Sequence, residues 1–244
     1  MNAHTRFPVA LRFSIQLPLA GLALALAALA PLPANAGTET RAVGEFDAIA
    51  LGGSFKLDVS QGAQASVVVQ ADDKLLPLIE TVVDNGRLEI RWKRGTQSWG
   101  WNHSDVKVTV VTPKLRGLST AGSGDIQLQA FTTPALKLSI AGAGNAVLAA
   151  LTTDELGVSV AGSGDVRGAG KAGKLAISIA GSGDVKLIEM KSDDATVKIS
   201  GSGSATVNAG KTLAVSIAGS GDVTYSGEAS VKSSVAGSGN VTKK

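Results

Sequence analysis

The chain has 244 residues, 44 % of them hydrophobic, 18 % charged and 4 % aromatic, with 30 glycines and no cysteine. Without cysteine there is no disulfide framework, thiolate metal site, cysteine nucleophile or lipid-modified N-terminal cysteine, and two histidines leave little for imidazole chemistry. A formal charge of +3 is too small for electrostatic capture of nucleic acid.

Arg6 and Arg12 make the start of the chain basic, an apolar stretch runs from Leu19 to Leu29, and Ala34-Asn35-Ala36 fits the small-x-small pattern of signal peptidase. Together they predict a signal peptide over residues 1–36. The apolar run lies between Pro18 and Pro31, short of the roughly 20 residues a membrane span needs. Removal is therefore expected rather than a retained anchor, with no transmembrane span afterwards. Loss of Arg6 and Arg12 leaves 21 basic against 20 acidic residues in 37–244, a net charge of +1. The location expected is periplasm, cell surface or extracellular space.

Glu45 to Leu51, Ser54 to Ser60 and Ser66 to Ala71 read as strands, and Asp72 caps a short helical turn through Leu76. Asp84-Asn85-Gly86-Arg87 is a hairpin signal between Glu80–Val83 and Leu88–Arg91. No clean repeat runs through residues 37–113, which are expected to form irregular N-terminal coils or a cap, in one domain with residues 114–244. The stretch from Arg91 to His103 holds all three tryptophans. Trp92 continues the strand from Leu88 and reads as core. Trp99 and Trp101 flank Gly100 and, with Arg94 and His103, are the candidate ligand-binding residues, because aromatic faces in a loop offer stacking surface. Burial of both rings over an open solenoid end competes with that reading.

Beyond Pro113 the chain repeats itself. A Gly-small-Gly-polar tetrapeptide recurs as Gly122/Gly124/Asp125, Gly142/Gly144/Asn145, Gly162/Gly164/Asp165, Gly181/Gly183/Asp184, Gly201/Gly203/Ser204, Gly219/Gly221/Asp222 and Gly237/Gly239/Asn240. The steps are 20, 20, 19, 20, 18 and 18 residues, a solenoid period. Apolar residues alternate before each motif, as in Leu136, Leu138 and Ile140 or Leu175, Ile177 and Ile179, and again after it, as in Val185 and Leu187. Period two means strand. Each repeat therefore reads as strand, glycine corner, strand and a variable return segment. Both corner glycines are expected to serve the bend, which needs positive φ, and the close approach of the next coil about 4.8 Å away. Ser119, Ser139, Ser159, Ser178, Lys198, Ser216 and Ser234 form an outward column whose hydroxyls are placed to make a hydrogen-bonded ladder.

The residue closing each corner is Asp, Asn or Ser. All three accept a backbone N–H within their own turn, which explains their interchange and makes the column structural. The alternative is a calcium ladder, but the nonapeptide calcium rolls run Gly-Gly-x-Gly-x-Asp with a period of nine, unlike this chain. No metal or other cofactor is expected. Gly168 to Gly173 matches G-x-G-x-x-G, yet a period-two strand comes next where a dinucleotide or phosphate loop needs a helix. That stretch reads as a flexible return loop.

The export signal, Glu45-Phe46-Asp47-Ala48-Ile49, Gly52-Gly53-Ser54-Phe55, the Asp84-Asn85-Gly86 hairpin and the iterated Ser-x-Ala-Gly-Ser-Gly-Asp-Val together resemble the GIN-domain family, the autotransporter-adhesin head domains. The resemblance covers the chain from residue 37 onward. It implies a right-handed single-stranded β-helix in a cell-envelope or surface setting, and brings no catalytic residues. The fold class expected is thus all-β, a β-solenoid of ~20-residue coils with an irregular N-terminal cap. The function expected is a non-catalytic adhesin-like binding or structural module, whose partner is a cell-surface glycan or an envelope protein. A polysaccharide-active β-helix enzyme and a ligand-free envelope scaffold remain as alternatives, since related folds host lyases and hydrolases with paired acids.

Overall fold

Period-two alternation obliges every second side chain of a repeat to leave water, and the chain achieves this by wrapping into coils with a common apolar interior. The computed structural model describes residues 36–96 and 106–244, which form a β-solenoid of 17 strands. The regular coils are β10 (Phe131–Gly142), β11 (Ala146–Gly162), β12 (Val166–Gly181), β13 (Val185–Gly201) and β14 (Ala205–Gly219). Neighbours pair in parallel with equivalent residues opposite each other, as in Leu136↔Leu156↔Leu175↔Ala195↔Leu213. Leu138, Val158, Ile177, Val197 and Val215 are buried one above another in the interior.

Each coil contributes to three sheets. The first consists of strands leading into the glycine corner, the second of strands leaving it, and the third of the return. In the regular coils the return segment, variable in length, is strand rather than loop. Phe131–Thr133 pairs with Leu151–Thr153, and Leu151–Thr153 with Gly170–Ala172. Coils of unequal length are reconciled by shifts of register, for example between Leu148 and Leu151. Buried hydroxyls satisfy carbonyls here: Thr133 Oγ1–H donates to Leu115 O (2.8 Å), Thr153 Oγ1–H to Pro134 O (3.1 Å) and Ser192 Oγ–H to Asn208 O (2.7 Å). Gly168 to Gly173, expected as a loop, lies within β12. Pairing on both sides with Leu151–Thr153 and Met190–Ser192 makes strand the lower-energy state there.

Chain order and spatial order differ at the N-terminal end. Here β2 (Ala48–Gly52) and β3 (Lys56–Gln61) lead to β4 (Ser66–Asp72), a 3-10 turn at Leu76–Leu78 and the hairpin β5 (Ile79–Asp84)–β6 (Arg87–Trp92). Next come β7 (Lys107–Thr112), β8 (Gly117–Gly122) and β9 (Asp125–Leu128). β2 pairs with β6 on one side and β8 on the other, and β3 with β7 and β9. The earliest coil is thus intercalated between two that come later in the chain. The outermost coil is closed by antiparallel strands, β5 on β6 and β4 on β7, with β1 (Ala36–Arg41) on β4. The hairpin turn carries positive φ at Asn85 (49°) and Gly86 (74°), the conformation an Asn-Gly turn supplies. This segment, expected as irregular N-terminal coils or a cap, consists of the stacked parallel strands β2, β3, β6 and β7 with the antiparallel strands β1, β4 and β5. At the other end lie β15 (Val223–Ser226), β16 (Ser230–Gly237) and β17 (Val241–Lys243), with Val235 41 % exposed.

The glycine column defines the stack. Gly53 extends it by one coil, and φ lies between 116° and 135° at Gly53, Gly122, Gly142, Gly162, Gly181, Gly201, Gly219 and Gly237. The second glycine of each corner departs from the expectation that both serve the bend. Gly124, Gly144, Gly164, Gly183, Gly203, Gly221 and Gly239 lie outside the left-handed region, so positive φ is not what selects them. Close approach alone selects them. A Cβ on Gly144, Gly164, Gly183, Gly203, Gly221 or Gly239 would fall on the carbonyl of its counterpart one coil earlier, and one on Gly124 would meet Leu51 and the Gly53 carbonyl. The first glycine therefore answers to strain and overlap together, the second to overlap only.

A Cβ on Gly162 would fall on the Gly142 carbonyl, whereas one on Gly157 meets nothing within 4 Å. Gly162→Ala should therefore cost roughly 2–4 kcal/mol from strain and overlap. Gly157→Ala should stay within about 0.5 kcal/mol. Urea unfolding of the two variants measures the difference, and equal midpoints contradict the corner mechanism.

Candidate functional site

The residues that close the corners make the most regular polar feature of the surface, and their geometry differs from the in-turn bonding expected. Their side chains reach the next coil. Asp125 Oδ1 accepts the Asn145 backbone N–H (3.1 Å) and the Asn145 side-chain amide (3.0 Å). Asn145 Oδ1 accepts the Asp165 N–H (3.3 Å), Asp165 Oδ1 the Asp184 N–H (3.1 Å) and Asp184 Oδ1 the Ser204 N–H (3.2 Å). Asp222 Oδ1 receives both donors of Asn240, at 2.9 and 3.2 Å. Stacking places the N–H of the next coil nearer than any donor within the turn, because each turn spends its own groups elsewhere. Ala143 N–H, for instance, bonds Gly122 O, and Ala146 N–H bonds Asp165 O. Asp184 also pairs with Lys186 at 3.2 Å.

The serine column of the first sheet does not form the ladder anticipated for it. Among the described residues only Ser119 of that column is hydrogen-bonded through its side chain, its Oγ–H donating to Ile49 O at 3.3 Å. The other hydroxyls face solvent, and with Ala121, Ala141, Ala161 and Ala180 they make a flat surface of small side chains. An open trough of about 540 Å³ crosses it where Gly157 and Ala176 lie between Lys137 and Thr196.

Of the tryptophan-rich candidate set, Trp99, Trp101 and His103 lie outside the described residues. Arg94 is exposed in a turn closed by Thr96 N–H to Lys93 O at 3.2 Å. Trp92 packs its ring on Phe55, with centroids 5.0 Å apart, and is partly buried against the core. Phe55 occupies the place that the second corner glycine holds in the other coils, and a side chain fits there because Trp92 lies against it in place of another coil's corner.

Several opposite charges pair across neighbouring coils. Arg116 Nε lies 2.6 Å from Asp47 Oδ2, Lys174 Nζ 3.4 Å from Glu155 and Lys211 Nζ 3.0 Å from Asp193. Arg91 sits between Glu80 and Glu89. The hydrogen bond to Glu80 chiefly, aided by the charges of both acids against some desolvation, raises its pKa above the ordinary arginine value. Among the described residues no three His, Cys, Asp or Glu side chains form a metal-binding group, and no helix is long and apolar enough to cross a membrane.

Residues 45–229 match the family model described as "Putative auto-transporter adhesin, head GIN domain". A solved "putative adhesin" from Bacteroides fragilis shares 24 % identity and superposes with a TM-score of 0.81, over 86 % of this chain and 97 % of its own. A "putative lipid binding protein" from Parabacteroides distasonis shares 25 % identity with a TM-score of 0.71, over 87 % and 98 %. A "putative adhesin" from the same organism shares 22 % with a TM-score of 0.69, over 87 % and 98 %. Among curated proteins none matches the chain.

The corner geometry generates a specific expectation. Asp165→Asn keeps an oxygen for the Asp184 N–H and should leave stability within about 0.5 kcal/mol, whereas Asp165→Ala removes the acceptor and should cost about 1 kcal/mol. Calcium or EDTA should leave the melting temperature of the native protein unchanged. A stack binding calcium only when folded would instead be stabilised by mass action. A calcium-dependent shift in a thermal scan would show the column to be a metal site.

Proposed function

The chain belongs to the GIN-domain family of auto-transporter adhesin heads, and on that premise we propose that it is an exported, non-catalytic, adhesin-like binding module of the cell envelope or surface. What carries the reading is how the chain employs its acids. Five of the seven corner positions are Asp or Asn whose Oδ1 holds the backbone of the following coil. Asp47, Glu155 and Asp193 each pair with one Arg or Lys, and Glu80 and Glu89 share Arg91. These carboxylates serve as structural acceptors and surface ion pairs. The convergent acid, base and nucleophile that catalysis demands are a different arrangement. In exchange the solenoid exposes long rows of like residues, a surface suited to extended contact at little cost in ordering, because the strands beneath are already fixed.

Export rests on the signal-like residues 1–36, whose removal leaves Gly37 within β1 as the first residue. The domain proposed is 37–244. The reading predicts that envelope or secreted fractions contain a species beginning at Gly37, by N-terminal sequencing, and that beads coated with it bind bacterial or host-cell surfaces. Uncoated-bead levels of binding would remove the adhesin reading. Release of reducing ends from acidic polysaccharide would favour the enzyme.

A further inference from the structure

The outward middle row of the second sheet is uniform in the C-terminal coils and heterogeneous in the N-terminal ones. Thr206, Thr224 and Thr242 stand in register, whereas the preceding coils place Asp58, Gln127, Val147, Arg167 and Lys186 in that row. Over the irregular half lie two concavities. One, of about 470 Å³, covers Lys56, Asp58 and Gln127, and the other, of about 320 Å³, covers Arg167, Ala169 and Glu189. Both are lined by Val147, so the two open concavities adjoin at that side chain and make an interrupted groove across successive coils. From Asp58 to Lys186 it crosses four strand spacings, about 19 Å.

The groove has a small apolar floor, and polar Gln127 and Arg167 flank Val147 within the same row. Val147 is 36 % exposed, one of three large hydrophobic side chains so exposed among the described residues. Ala149 and Ala169 continue the floor toward Glu189. Among the polar lining residues Asp58 is fixed by Gln129 Nε2–H, which donates at 3.0 Å, and by Lys107 at 3.9 Å. Asp125 spends Oδ1 on Asn145 and leaves Oδ2 for a ligand. Lys56, Gln127 and Arg167 have no side-chain hydrogen bond or ion pair with a described residue, so their donors point outward unspent.

Three features choose the occupant. The lining carries Lys56, Lys107, Arg167 and Lys186 against Asp58, Asp125 and Glu189, a near balance that offers a polyanion or polycation little advantage. Unspent donors on Lys56, Gln127 and Arg167 beside the free Oδ2 of Asp125 suit a ligand bearing hydroxyls that both donate and accept. The strands beneath are hydrogen-bonded on both sides, so a peptide cannot add by strand pairing and recognition falls to side chains. We propose that this groove binds a neutral polysaccharide chain laid along the solenoid axis, its hydroxyls on Lys56, Gln127 and Arg167 and a sugar-ring face over Val147. The proposal rests on the binding-module reading and names its ligand class and site.

Affinity electrophoresis of the purified 37–244 chain through gels containing a β-glucan, a xylan, a mannan or polygalacturonate tests it. Retardation by a neutral polysaccharide is expected, unchanged between about 0.05 and 0.5 M NaCl because no net charge is neutralised. The double variant Gln127→Ala, Arg167→Ala should weaken it about tenfold or more, with the circular dichroism spectrum and melting temperature intact. Lys198→Ala on the first sheet should bind as the parent does. Retention of binding by the double variant, binding of polygalacturonate alone with loss in salt, or retardation by none of the four overturns the proposal. Coated-bead adhesion to cells separates the two levels: adhesion without neutral-polysaccharide binding refutes the groove and keeps the module, while absence of both refutes both.

Discussion

The stacking of coils about 4.8 Å apart at the glycine corner is the constraint on which the molecule depends. A backbone that must pass directly above its own previous turn has no room for a Cβ: one on Gly162 would meet the Gly142 carbonyl, and one on Gly181 the Gly162 carbonyl. The same closeness brings an Oδ1 of one coil to the N–H of the next and converts a set of turn residues into a ladder running along the stack. It also explains the interruption at Ser204. A hydroxyl on a shorter stem does not span the step, and Asp222 begins a second segment with Asn240.

A stack of this kind has two ends, and ends expose both core and unpaired backbone. At the N-terminal side the chain solves this by turning back. β4 and β5 run antiparallel to the outermost coil, while β2 and β3 are held inside it with a partner on each edge. Phe55 and Trp92 fill the space beneath the corner where that coil departs from the repeat. At the C-terminal side the last coil changes composition instead. Ser233 replaces the apolar residue stacked beneath it at Val215, and Lys232 and Lys243 place charge on β16 and β17, as edge strands use lysine to resist pairing.

Repetition and function pull in different directions on this scaffold. Where columns are uniform, as in the serines and alanines of the first sheet or the threonines of the second, the surface is even and its groups are equivalent. Where the register carries unlike residues, from Asp58 to Lys186, the surface gains depth and side chains of several reaches. A rigid parallel stack positions both without moving, since the inward residues of the same strands are packed at almost no exposure.

The amino-acid sequence by itself determined the features whose causes lie within a few residues: the strand period, the glycine corners, the length of each coil and the Asn85-Gly86 hairpin, whose φ values match. The length of a repeat and its alternation suffice for a solenoid. Only the tertiary structure decided which strands neighbour one another. The alternation in Ile49 and Leu51 is the same as in Leu88 and Ile90, and a parallel strand accepts either neighbour, so the intercalation of β2 between β6 and β8 has no local signature. The two glycines of a corner look equivalent in sequence for a similar reason: Gly162 answers to its own φ, whereas Gly164 answers to Gly144, twenty residues away and one coil below. The Asp and Asn side chains likewise look self-sufficient, yet their partners are 18 to 20 residues distant, brought within 3 Å or so by the stack. The return segments of β11 to β13 became strand because pairing on both flanks outweighs the weak propensity of a glycine-rich stretch, and that pairing exists only once the coils are closed.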